Sequence, residues 1–66
     1  MKYQFTFYDV EKQYMPISVT ITAKPHEKFS EMKQRATIKV MLERQWTFKD
    51  LTEKYHFTKI RFRKIE

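Results

Sequence analysis

The chain contains no glycine and no cysteine among its 66 residues, and only two prolines. Ordinary proteins contain roughly 7% glycine. Its absence excludes motifs that need glycine backbone, such as a P-loop, a G-x-G-x-x-G dinucleotide loop, a KH-type loop or a nucleophile elbow. Without cysteine there is no disulfide, no thiol nucleophile and no cysteine-based zinc site, and the composition fits a reducing cytoplasm.

Long apolar runs and metal-binding spacings are also missing. No run reaches the roughly 18 apolar residues of a membrane helix, and the residues after Met1 alternate instead of forming the apolar core of a signal peptide. The two histidines, His26 and His56, stand apart, so we predict no metal and no cofactor. One small domain, residues 1–66, offers little cavity for catalysis. We therefore expect a non-enzymatic, cytoplasmic protein that does not bind membranes.

Positive charge is abundant and unevenly distributed. The net charge is +6, from 14 Lys and Arg against 8 Asp and Glu. Residues 1–32 carry four cations and four acids, whereas residues 33–66 carry ten cations and four acids. This asymmetry favours nucleic acid or an acidic protein surface as the partner. The alternative is that the charge only keeps a small protein in solution.

Alternating polar and apolar residues predict two strands in the first third of the chain. Lys2 to Val10 places Tyr3, Phe5 and Phe7 on one side, and Ile17 to Lys24 repeats the pattern with β-branched residues. We expect these strands to form a hairpin closed by a loop of four to six residues, because no Asn-Gly or Asp-Gly pair occurs between them.

Helical spacing follows the hairpin. A helix should begin between Pro25 and Ser30, because a stripe suited to packing on a sheet is formed by Phe29, Met32, Ala36 and Val40. Ile38, Met41 and Leu42 fall outside this stripe, and we expect them to contact the segment from Trp46 to Tyr55.

Two shorter elements complete the predicted order. Thr47-Phe48-Lys49-Asp50 resembles a capping box, which predicts a short helix from Phe48 to about Tyr55. Alternation from His56 to Ile65 predicts a third strand. The fold class is therefore α+β, with the order ββα(α)β and one main helix packed on the sheet.

Short connections favour a three-stranded mixed sheet of order 2-1-3, in which the first and last strands run parallel. This order resembles a minimal β-grasp (ubiquitin-like) domain, and Thr47-Phe48-Lys49-Asp50-Leu51 is similar to the short turn before the last strand of that family. Because the chain has no glycine, it lacks the Gly-Gly tail of a conjugated modifier, and that role is not predicted.

Strand alternation also predicts a basic face on the sheet, opposite the helix and free of acids. The nucleic-acid-binding residues predicted there are Lys2, Tyr8, Lys24, Phe57, Lys59, Arg61 and Arg63. Cations contact phosphates and aromatic rings stack on bases, so this composition suits nucleic acid. The alternative for the same face is a solvated surface whose charges prevent aggregation of the sheet.

Protein binding is the second functional prediction, with a homodimer as one form of it. Trp46 is expected to lie in the core and to pack on Leu42, Leu51 and Tyr55. If it is instead exposed, an interface would use Trp46 with Ile38, Met41 and Leu42, or would add a strand to an open sheet edge.

Overall fold

The computed structural model describes all 66 residues as a three-stranded sheet with one long helix, an α+β fold. The elements are β1 (Lys2–Tyr8), β2 (Ile17–Thr22), α1 (Phe29–Arg44), a π-helical segment (Asp50–Lys54) and β3 (Lys59–Lys64). Each strand begins and ends within three residues of its predicted bounds, and α1 begins between Pro25 and Ser30, as predicted.

The strand order is β2-β1-β3, as predicted, but the predicted parallel pairing is wrong. β1 pairs antiparallel with β2 and also with β3. The sheet is therefore antiparallel and not mixed, and the parallel pairing of first and last strands that accompanied the β-grasp resemblance is not formed. β2 and β3 point the same way, with β1 between them.

A single helical crossing explains the direction of β3. β2 ends at Thr22 opposite Lys2, so α1 must start at that end of the sheet. Its 16 residues span about 24 Å, the length of the sheet, and return the chain to the opposite end. There the Val10 N–H donates to the His56 carbonyl at 3.0 Å, and β3 starts beside Tyr8. With only one crossing, β3 must run back in the direction of β2.

The core lies between α1 and one face of the sheet. Phe5 and Phe7 of β1 are fully buried, and the helix contributes Ala36 and Val40 with no exposed surface. The other core residues are Ile17, Val19, Ile21, Met32, Leu51 and Phe57. The predicted helical stripe is thus confirmed for Met32, Ala36 and Val40, while Phe29 sits at its edge and stays 43% exposed.

Non-glycine residues supply the left-handed backbone that this fold needs at its turns. Lys12, His26, Gln45 and His56 all have positive φ. Gln45 ends α1 at φ 59°, which lets the Trp46 N–H reach the Met41 carbonyl at 2.9 Å. A left-handed residue other than glycine costs roughly 1–2 kcal/mol, so these turns are held by the hydrogen bonds and packing around them.

The predicted capping box is confirmed at the start of the second helical segment. The Thr47 N–H donates to Asp50 Oδ2 at 3.0 Å, and the Asp50 N–H donates to the Thr47 hydroxyl oxygen at 3.1 Å. The bond from the Thr47 N–H holds the pKa of the Asp50 carboxyl below its ordinary value. The turn then widens to π geometry, with the Tyr55 N–H donating to the Asp50 carbonyl.

Neither helical element combines the length and apolar character that a membrane crossing requires.

Candidate nucleic-acid interface

The face of the sheet turned away from α1 is formed by every second residue of each strand. Register places Thr6 opposite Arg61, and Gln4 opposite Arg63. The residues of this open face, none of them acidic, are Lys2, Gln4, Thr6, Tyr8, Ser18, Thr20, Thr22, Lys59, Arg61 and Arg63. Thr20 and Thr22 are exposed, while Phe5 and Phe7 on the opposite face are buried. Alternation therefore predicted the two faces correctly.

Side chains from β1 orient the two arginines of the open face. Arg63 Nε donates a hydrogen bond to Gln4 Oε1 at 3.0 Å. The guanidinium carbon of Arg61 lies 5.6 Å from the centroid of the Tyr8 ring, which is cation–π distance. A shallow depression of about 360 Å³ lies over these four residues. The arginines are thus held in place with much of their hydrogen-bonding capacity unused.

Charge on the open face is only partly balanced. Lys2 forms an exposed salt bridge with Glu66, with 3.5 Å between Nζ and Oε2. Lys59, Arg61 and Arg63 form no salt bridge. They are alternate residues of β3, so their Cα atoms recur roughly every 6.6 Å along the strand. The open face therefore presents a row of three unpaired cations.

Phe57 does not lie on the open face, and its predicted role in base stacking there is wrong. The residue is only 2% exposed and belongs to the core. It precedes β3, which begins at Lys59, and the turn at His56 has left-handed backbone. Strand alternation therefore does not apply at position 57, and Tyr8 is the only aromatic residue on the open face.

Lys24 is also displaced from its predicted position. β2 ends at Thr22, and Lys24 lies in the turn before α1, where its N–H donates to Glu27 Oε1 at 3.0 Å. Arg35 Nη1 lies 2.6 Å from the same oxygen. These hydrogen bonds outweigh the opposing effect of burial and hold the pKa of Glu27 below its ordinary value. Lys24 therefore sits beside an acid and not in the cationic row.

The residues predicted for a protein interface fall into two groups. Trp46 is half-buried and stacks on Tyr55, with 4.3 Å between ring centroids, and it also packs against Phe57. Its predicted role in the core is therefore supported, although Leu42, one of its predicted neighbours, lies outside the core and is 74% exposed.

On α1, the prediction that three off-stripe residues meet the segment after the helix is correct only in part. Met41 is half-buried and packs against the core. Ile38 is 46% exposed and Leu42 more so, because both lie on the solvent side of the helix. An apolar groove, with exposed Phe48 at its far side, runs beside Ile38 and Met41. Ile38, Met41 and Phe48 are thus close together, and Trp46 does not line this groove.

Sequence reasoning missed the role of Asp9, which closes the hairpin loop. Its buried carboxylate accepts hydrogen bonds from the N–H groups of Glu11, Gln13 and Tyr14 at 2.7–3.0 Å. Burial by itself raises the pKa of Asp9, but these bonds, together with His56, leave the pKa below its ordinary value. An Asp at the start of a loop is the signal that could have indicated this turn.

No three His, Asp or Glu side chains lie close enough together to hold a metal ion.

Comparisons of the chain with family models, with curated proteins and with solved structures found no match.

Proposed function

We propose that the chain is a non-enzymatic module that binds single-stranded nucleic acid through the open face of its sheet. The observation that carries this proposal is the row of Lys59, Arg61 and Arg63, three cations without a carboxylate partner on a face that has no acidic strand residue. Phosphate contacts by such cations supply most of the affinity in non-specific binding of nucleic acid. A cytoplasmic location, as the sequence predicts, is part of the proposal.

Single strands fit this face better than duplexes. An exposed sheet face can receive splayed bases, and bases stack both on aromatic rings and on the plane of an arginine. Arg61 over Tyr8 offers such a plane, while Arg63 and Lys59 on either side contact the phosphates. Gln4 and Thr6 supply hydrogen-bonding groups between them.

A titration followed by ¹H–¹⁵N NMR tests the proposal. Adding a mixed-sequence single-stranded oligonucleotide should shift the signals of Thr6, Tyr8, Arg61 and Arg63, and duplex DNA should shift them less. The double variant Arg61→Gln/Arg63→Gln should bind weakly. A control double variant, Lys33→Gln/Arg44→Gln, makes the same change in charge on α1 and should bind like the wild type. Equal losses in both variants would reduce the binding to general charge attraction.

Protein binding is the second candidate, and the exposure of Ile38 and Leu42 on α1 favours it. In that case the surface of α1 would associate with another protein or with a second copy of the chain. The same NMR experiment separates the two candidates. Signals from Ile38, Met41 and Leu42 would then change with protein concentration or with added protein, and the oligonucleotide would leave the open face unshifted.

A further inference from the structure

The two edges of the sheet differ in how their backbone groups are satisfied. At the β2 edge, Lys39 Nζ donates to the Thr20 carbonyl at 3.1 Å, and Arg35 Nη1 donates to the Thr22 carbonyl at 3.2 Å. Covering an edge strand with a neighbouring element is a common protection against pairing with other strands. Side chains of α1 therefore cover the β2 edge.

The β3 edge carries no such cover. The Lys2 carbonyl accepts hydrogen bonds from the N–H groups of Ile65 and Glu66. Lys2 therefore directs its backbone hydrogen-bonding groups toward β3, and so does every second residue of β1 after it. In an antiparallel ladder only alternate residues bond to a given neighbour. Arg61 and Arg63, opposite Thr6 and Gln4, therefore direct their backbone groups inward.

It follows that Ile60, Phe62 and Lys64 direct their N–H and C=O groups outward. No side chain of the protein hydrogen-bonds to them, in contrast to Thr20 and Thr22 on the other edge. Three donors and three acceptors, at the spacing of a β-strand, are available at this edge. Only another extended polypeptide matches such a row of alternating groups.

On the helix side of the β3 edge, an aromatic surface remains uncovered. The rings of Phe29 and Phe62 lie 4.3 Å apart, and both rest on buried Phe5 at 5.8 Å. Because α1 packs chiefly against β2, Phe62 stays 50% exposed and Phe29 43% exposed. Apolar side chains of an added strand would cover these two rings.

Charge decides between the occupants of this edge. β3 carries four cations and no acid. Antiparallel pairing with a second copy would bring the arginines of the two copies together on one face, which is unfavourable. An acidic strand would instead place its carboxylates beside Arg61 and Arg63. The edge therefore suits an acidic polypeptide and not a second copy.

We propose that the β3 edge binds an extended acidic peptide segment of a partner protein, with apolar residues at alternate positions. Its backbone pairs with Ile60, Phe62 and Lys64, its apolar side chains cover Phe29 and Phe62, and its acidic side chains lie on the open face. The inference does not depend on the proposed function, although the peptide site and the nucleic-acid site share Arg61 and Arg63. Because both ligands use the same arginines, the peptide and an oligonucleotide should compete.

Amide hydrogen exchange with a synthetic probe tests this inference. The probe is a capped peptide of alternating glutamate and valine, about seven residues long. With the peptide at ten times its Kd, the amides of Ile60, Phe62 and Lys64 should exchange roughly tenfold more slowly. The amide of Thr20, on the opposite edge, serves as the internal control and should be unchanged. Protection of Thr20 alone, or of neither edge, would overturn the inference.

Backbone methylation of the probe separates strand addition from charge attraction. Antiparallel pairing is the more stable geometry. In it, the peptide residues directly opposite Ile60 and Phe62 place their side chains on the same face as those two residues and exchange backbone hydrogen bonds with them. The valines occupy these positions, so the valine N–H groups point at β3. Methylating those nitrogens should abolish binding, and methylating the glutamate nitrogens should not. Equal binding of the two methylated peptides, which carry the same charge, would refute strand addition.

Variants and two further controls complete the experiment. The variant Arg61→Gln/Arg63→Gln should lower the affinity for the peptide roughly two- to thirtyfold, the range for the loss of two exposed ion pairs. Protection at Phe62 that grows with protein concentration alone would show that a second copy occupies the edge. Protection of the same amides by an oligonucleotide would also overturn the inference. Loss of nucleic-acid binding alone leaves the peptide result standing, so the two proposals fail separately.

Discussion

The salt dependence of the proposed nucleic-acid binding gives the sharpest test of the open face. Each phosphate neutralised by a protein cation releases counterions, which makes the logarithm of the affinity fall with the logarithm of the salt concentration. Lys59, Arg61 and Arg63 are the three cations of β3 on the open face, and none of them has a carboxylate partner. For a single strand, three contacts at about 0.7 each give a slope of roughly −2.

This slope translates into a readily measured change in affinity. Between about 50 and 200 mM salt, a slope of roughly −2 lowers the affinity about twentyfold. The variant Arg61→Gln/Arg63→Gln keeps one of the three contacts, so its slope should be about −0.7 and its affinity should fall only about threefold. Fluorescence anisotropy of a labelled oligonucleotide at a series of salt concentrations measures both slopes.

Two further variants make the measurement specific. Lys33→Gln/Arg44→Gln removes the same charge from α1 and should keep a slope of about −2. Glu66→Gln frees Lys2 from its salt bridge, and the slope should steepen by about 0.7. If the α1 variant flattened the slope as much as the β3 variant, the three open-face cations of β3 would not form a distinct site, and the reasoning would be refuted.

Other predictions concern the fold. Phe5→Ala should lower the free energy of unfolding by about 3–5 kcal/mol, whereas Thr20→Ala on the open face should change it by less than about 0.5 kcal/mol. Urea denaturation measures both changes. Equal losses of stability in the two variants would contradict the assignment of the faces. Because the pKa of Asp9 is lowered in the fold, its contribution to stability is present at neutral pH and is lost as the pH falls below the ordinary value of 3.8. Asp9→Asn should therefore be less stable at pH 7 and lose less stability on acidification in thermal unfolding, and an unchanged acid response would count against this. Trp46→Ala should cost less than the roughly 3–5 kcal/mol of a fully buried ring but more than Leu42→Ala, which should be nearly neutral; the reverse order would place Leu42 in the core.

The sequence was sufficient wherever a residue lies inside a regular element with one buried face. In β1 and β2, side chains alternate with a period of two. Because Phe5 and Val19 are buried, their neighbours Thr6 and Thr20 must lie on the opposite face of the sheet. Along α1, helical periodicity likewise indicated which residues pack on the sheet. The capping box was predictable because its hydrogen bonds join residues only three positions apart.

Positions just outside the strands were decided by the turns. Alternation extended past the ends of β2 and β3 placed Lys24 and Phe57 on the open face, yet Lys24 turns to Glu27 and Phe57 enters the core. At both places the backbone has left the ladder, with positive φ at His26 and His56. Because the chain contains no glycine, nothing in its composition marked these left-handed turns.

Two further features, the direction of β3 and the difference between the two sheet edges, depended on the tertiary structure. The direction of β3 depends on how many times the chain crosses the sheet, which is a property of the whole path and not of any local pattern. The difference between the edges depends on contacts across long distances in sequence, since Arg35 and Lys39 reach Thr22 and Thr20 only after α1 has packed on β2. The sequence thus determined which side chains share a face, because pleat and helix pitch are local, while only packing decided which backbone edge remains open.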